Sequence, residues 1–332
     1  MTLITDAPQA PTNPFDQLLH DCHNNSKAIQ SRYEAHRTNR NIQSREKLLH
    51  PGFPGWDTDE ILAKLIAHQS TETDENSNSN SNNARPRPPF VDHRHNLNFC
   101  ARPPSHIKEL VAEIQRELLD VVPGLWLAPP EYLHITTIEL ANSRTKEEID
   151  VLATQLKASG VAPKLLEYAS AARNHTRLVK PILSYDASAM ALSFLPAAGE
   201  PTAWTSGLDY RHRHDDAYTY HHLRRDLAGM VMDAGLAMHA RYIVPSAHVT
   251  VARFVSREGI LDDGGVVDRG KVGELVERVE RVNAMLREKY WPDSDQGMPA
   301  KGEWVVGKEG FEFNKGTTWY GGGEKMVIGT DY

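Results

Sequence analysis

A helix, a short strand, proline and a His-x-Thr strand follow one another twice in this chain, and that repetition constrains the fold more than any other feature. In the first half a helix ending near VVPG leads to LWLA, a proline pair and YLHITTIEL; in the second, one ending near DAGL leads to RYIV, a proline and AHVTVARF. The distance from helix start to histidine is similar in both, Ser105 to His134 and Tyr220 to His248. This is not a short solenoid repeat. It reads as two copies of a strand–helix–strand–strand unit. Such copies predict an α+β, bilobal fold with a pseudo-twofold axis and a central cleft between two sheets.

Strand side chains alternate between faces, so His134 shares a face with Thr136, and His248 with Thr250. Polar pairs on otherwise apolar central strands need partners. If the two units face each other, four polar side chains meet in one cleft. By chance, His-apolar-Thr-apolar is expected only roughly 0.1–0.2 times in such a chain. His248 meets that strict form, while the first copy has Thr137 in the last place. Two imidazoles suit phosphodiester cleavage: one removes a proton from the attacking oxygen and the other returns one to the leaving oxygen. The threonine hydroxyls can donate to the non-bridging oxygens as charge develops there. His134 and His248 are therefore the candidate catalytic pair and Thr136 and Thr250 the candidate substrate ligands. No cofactor and no metal are expected.

Several other residues compete for attention. Alternation puts Arg253 on the face opposite His248 unless a bulge intervenes. The run YRHRHDDAYTYHH offers His212, His214 and a carboxylate (Asp215 or Asp216) as metal ligands, but reads more simply as a polar loop entering a helix with His221 and His222. The same loop can bring Arg213, Tyr218 or Tyr220 to a nucleotide. The helix carrying Lys27, Arg32, Arg37, Arg40, Arg45 and Lys47 is the most basic stretch; it reads as a solvated face, with RNA contact as the alternative. Gly321-Gly322-Gly323 reads as a hairpin turn.

Pro, Gly and polar clusters divide the chain into a helical region over 1–69, a polar linker or loop over 70–89 containing NSNSNSNN, and a chemistry-bearing region over 90–332 with lobes at about 90–160 and 180–332. Within the first, short helical pieces are expected over 15–22 and 26–49, then one capped by Asp57 or Thr58. Within the third, helices are expected over 105–121, 146–159, 220–234 and 271–289. Strands are expected over 96–101, 125–128, 133–140, 242–244, 247–255, 304–306, 311–313 and 325–328, with a strand pair over 181–195.

Composition excludes other classes. With 40% apolar and 24% charged residues the chain can bury a core. A net charge of -7 argues against broad nonspecific nucleic-acid binding, though not against a short strand end in a local basic pocket. The only cysteines, Cys22 and Cys100, form neither a metal motif nor a disulfide framework. Together with the absence of a signal-like start or a membrane-length apolar run, they predict a cytoplasmic or nuclear monomer with no membrane partner.

The two His-x-Thr strands resemble those of the 2H phosphoesterase superfamily, and HVTVAR is similar to the second motif of its bacterial 2′-5′ RNA ligase-like branch. YHHLRRDL and RYIVPSAHVTVARF resemble uncharacterised fungal members. The resemblance spans about 90–332. It implies a bilobal fold, catalysis by His134 and His248, phosphate binding by Thr136 and Thr250, and 2′,3′-cyclic or 2′-5′ phosphodiesters of RNA or nucleotides as substrates. HITTIEL departs from the family pattern at Thr137 and continues to Glu139. The alternative expectation is a nucleotide or RNA-end binding or scaffold protein that uses the same cleft without turnover.

Overall fold

Ile107, Leu110, Val111, Ile114 and Leu118 recur at helical spacing and form the buried stripe of α4 (Ser105–Leu119). The same logic sets α8 (Arg269–Tyr290), where Val272, Leu275, Val276, Val279, Val282 and Leu286 are buried and Asp268 accepts from the backbone N–H groups of Gly270 and Lys271. A capping box between Thr145 and Glu148 starts α5 (Lys146–Ala158). The computed structural model describes residues 12–77, 90–201, 216–239, 243–262, 264–292 and 300–326. The remaining helices are α1 (Asp16–Asp21), α2 (Ser26–Leu49), α3 (Glu60–Ser77), α6 (Val161–Ser170) and α7 (Tyr220–Asp233).

The architecture is α+β, with two antiparallel sheets. One sheet has the order β3-β1-β8-β9, where β1 is His95–Ala101, β3 Ile135–Arg144, β8 Phe311–Gly316 and β9 Glu324–Lys325. The other has the order β2-β6-β5-β4-β7, where β2 is Leu125–Leu127, β4 Thr176–Tyr185, β5 Ala189–Pro196, β6 His248–Phe254 and β7 Trp304–Val306. The sheets do not respect the spans 90–160 and 180–332. β2 leaves the first span to pair with β6, Leu125 opposite Phe254. β8 returns from the end of the chain to pair with β1, Phe99 opposite Phe313.

Four local expectations are corrected. No strand covers 243–244, and Tyr242 lies outside the described residues; this segment's carbonyl at Val244 accepts from the Arg224 side chain at 2.9 Å in place of a ladder partner. The helix α6 was not foreseen, because Pro163 falls within it; proline is tolerated there in the first turn. α3 continues into the polar tract as far as Ser77, and 78–89 lie outside the described residues. Its first turn is capped by Asp59, whose Oδ1 accepts from the Leu62 N–H at 3.1 Å, and not by Asp57 or Thr58.

The first helices share the main core. Phe15, Ile29, Tyr33 and Trp56 are buried in one continuous cluster with residues of α4, α7, α8 and both sheets. Trp56 stacks on Phe254 at 4.3 Å with an 11° interplanar angle, and α2 lies against β4, β5 and α8. Among the described residues no helix is long and apolar enough to cross a membrane. Cys22 and Cys100 are buried free thiols.

Candidate functional site

Alternation works over each motif. Ile135 and Val249 are buried, while His134, Thr136, His248 and Thr250 are half-buried. His134 immediately precedes β3 and His248 opens β6, so the two motifs come from different sheets. All four side chains line one cleft of about 100 Å³, together with Trp126, Tyr132, Arg224, Ser246, Arg253 and Tyr320. The four expected site residues are thus brought together.

Each imidazole is held through Nδ1. His134 Nδ1 lies 2.8 Å from the Tyr132 carbonyl. A carbonyl only accepts, so Nδ1 carries the hydrogen and Nε2 has the lone pair in the neutral ring. The loop that supplies this carbonyl is clamped by Arg102, which donates to the carbonyls of Glu131 and Leu133 and is itself paired with Glu312. His248 Nδ1 lies 2.9 Å from the Ser246 hydroxyl, which can donate or accept.

The electrostatics differ between the rings. Burial lowers the His134 pKa, as does Arg102, against the opposing effects of the Tyr132 carbonyl and Glu312. His248 is pulled down to about 4, first by burial and then by the charges of Arg224, His134, Arg253 and His36. The cleft thus disfavours the imidazolium form of both rings, His248 more than His134. The surrounding cations that disfavour imidazolium favour a bound anion.

A bulge follows each motif at the same place. In β3 the register shifts between Ile138, opposite Phe99, and Thr136, opposite Cys100, which leaves Thr137 as the extra residue. In β6 it shifts between Ala252, opposite Met190, and Thr250, opposite Ala191, which leaves Val251 as the extra residue. An extra residue reverses the alternation. Glu139 and Arg253, each five positions after the histidine, therefore line the cleft. The face predicted for Arg253 by simple alternation is corrected on this ground. Asp59 holds Arg253 at 3.6 Å, and the Tyr320 ring lies 5.5 Å beneath its guanidinium.

Buried side chains accommodate both bulges. Gln115 in α4 donates to the carbonyls of Ala128 and Val251, each at 2.9 Å. Arg224 in α7 donates through Nε to the Thr137 carbonyl at 3.0 Å. The helix of each half thus supports the strand of the other. Arg224, Ser246, Tyr132 and Trp126 were missed by sequence reasoning. Arg224 and Ser246 lie within RRDL and PSAH, but nothing in their spacing marks them as cleft residues.

The other candidates fall elsewhere. His221 is buried between the Tyr33 hydroxyl, 2.9 Å from Nδ1, and the Phe15 carbonyl, 3.0 Å from Nε2. His222 Nδ1 accepts from the Thr219 N–H at the start of α7. Asp216 is paired with Arg177, and Tyr218 with Asp226. Tyr220 donates to the Thr136 carbonyl at 3.2 Å, beneath the cleft floor. His212, Arg213, His214 and Asp215 lie outside the described residues. Among the described residues, no group of three or more His, Cys, Asp or Glu could hold a metal ion. Gly321, read as part of a flexible hairpin, closes a 3-10 turn with φ +85° against the Tyr132 ring.

No family model matches this chain, and no curated protein matches it significantly.

Proposed function

We propose that this chain is a metal-independent phosphodiesterase that acts on 2′,3′-cyclic or 2′-5′ phosphodiesters of RNA or nucleotides by general acid–base catalysis. One observation carries the reading: two His-x-Thr strands from different sheets present all four polar side chains to one cleft bordered by Arg224 and Arg253. The resemblance of HVTVAR to the 2H phosphoesterase motif points the same way. Matched bulges and crossed helix support are in keeping with two copies of one unit.

The difference between the two surroundings supports one division of roles. His248, pulled down to about 4 by burial and arginine charge, is the resident neutral base. His134, where burial also disfavours the imidazolium but the Tyr132 carbonyl and Glu312 oppose that shift, takes the part of the acid. Water gives a proton to His248 as its oxygen bonds to phosphorus. The bond from phosphorus to the leaving ribose oxygen breaks, and His134 delivers a proton to that oxygen. Thr136 and Thr250 donate to the non-bridging oxygens, and Arg224 and Arg253 offset the charge gathered there.

The test is turnover of 2′,3′-cyclic nucleotides and 2′-5′ dinucleotides in excess chelator. His134→Ala and His248→Ala should each lower kcat by about 10²–10⁴-fold while the thermal transition is retained. Full activity in both variants, or a strict metal requirement, overturns the mechanism. Tight binding without product in the unaltered protein would identify a binding protein instead.

A further inference from the structure

Beside His248 the cleft continues into a second space of about 420 Å³, between α2 and the strands β5 and β6. It shares Ser246, His248, Thr250 and Arg253 with the histidine cleft, so the two are contiguous. Small-molecule sites usually enclose about 300–1,000 Å³, and this second space falls within that range.

Its wall is cationic, although the chain carries a net charge of -7. One face of α2 supplies His36, Arg37 and Arg40. Arg37 is 5% exposed and donates to the carbonyls of Lys180 and Ser193, not to a carboxylate. Burial pulls its pKa down to about 9, which leaves it charged at pH 7. Arg40 is exposed and lies 3.5 Å from Asp186. Among the described residues Asp186 is the only carboxylate lining the space, and its Oδ1 already accepts from Ser188 and Ala189. His36 lines the same space as His248, and burial and Arg40 lower its pKa, so the positive charge of the wall comes from the arginines. Of the three guanidinium groups lining the space, Arg40 meets Asp186, Arg253 is held by Asp59 from outside the lining, and Arg37 hydrogen-bonds only carbonyl oxygens. A buried cation without a carboxylate partner next to an open cavity is suited to a mobile anion.

We infer that this space is a second phosphate subsite, and that the substrate is an oligonucleotide end with at least one phosphate beyond the scissile one. The inference rests on the proposed function for which phosphate is cleaved, but anion binding here does not require turnover. α2 then has a functional face: Arg45 pairs with Glu280 and Lys47 with Asp57, whereas His36, Arg37 and Arg40 meet the substrate chain.

The test compares adenosine 2′,3′-cyclic monophosphate with a 5′-phosphorylated adenosine dinucleotide ending in a 2′,3′-cyclic phosphate, using the full chain. The ratio of kcat/KM should favour the dinucleotide, and Arg40→Glu should cut that ratio about tenfold. Arg32→Glu, an exposed position of α2 outside the space, should leave it unchanged. Arg37 is unsuited to substitution, because it ties α2 to β4 and β5. In parallel, equilibrium binding of 5′-phosphorylated ApA, which has no cyclic end, should weaken about tenfold in Arg40→Glu and not in Arg32→Glu. Turnover of the mononucleotide with a ratio and an affinity indifferent to Arg40 overturns the subsite and spares the catalytic reading. Arg40-dependent binding of ApA with no turnover of either substrate upholds the subsite and overturns the catalytic reading.

Discussion

Burial and the charges of Arg224, His134 and Arg253 act on His248 in the same direction, and together they hold its pKa at about 4. His134 is depressed as well, from the 6.5 of a free imidazole, but the Tyr132 carbonyl and Glu312 oppose the shift. In the proposed mechanism the base is neutral and the acid protonated, so turnover should fall as pH drops through about 4 and as pH rises past the depressed pKa of His134. The pH profile of kcat/KM, which reports the free enzyme, should therefore be a bell with its maximum between about 4 and 6.5. A maximum above pH 7 would contradict these assignments. Bound phosphate raises both values by supplying a negative charge, so the profile of kcat should lie at higher pH than that of kcat/KM.

At the scale of elements, the bulges after the two motifs decide which side chains enter the cleft. Their backbone groups are met by Gln115 and Arg224, which lie far away in sequence. The turn at Gly321 is a second device of this kind. A Cβ at Gly321 would sit 2.2 Å from the Tyr132 side chain, in a residue whose φ of +85° already disfavours it. Gly199 has φ +97° and open space around it. Gly199→Ala should thus lower the melting temperature through backbone strain alone, of about 1–3 kcal/mol, with turnover kept. Gly321→Ala should lower it further and reduce kcat, because displacement of Tyr132 moves the carbonyl that fixes His134. Equal effects of the two substitutions on kcat would rule this linkage out.

Among the described residues one main core spans both sheets, and the first helices belong to it. Phe15 sits beneath Arg224, with the guanidinium 4.3 Å from its ring, and Trp56 covers Phe254 beside the bulged strand. Removing such residues exposes the apolar surface they cover and uncovers the buried Arg224. A chain beginning at Phe90 should show no cooperative thermal transition and no turnover, as read by circular dichroism and by the cyclic-nucleotide assay. Retention of a native-like transition would mean that the helices are accessory.

The sequence by itself determined His134, Thr136, His248 and Thr250, because alternation along a strand is a local property and two residues of separation suffice to read it. It also determined α2, α4, α5, α7 and α8, whose apolar spacing lies within each segment, although α2 is capped by Asn25 and not by Ser26. Only the tertiary structure decided the rest of the site. Arg253 and Glu139 face the cleft because bulges shift the alternation, and the side chains that support those bulges come from other elements. The same holds for the exchange of β2 between sheets and for the place of α2 beside His248. Both depend on which surfaces can be buried together, a property of the packed chain and not of any window along it.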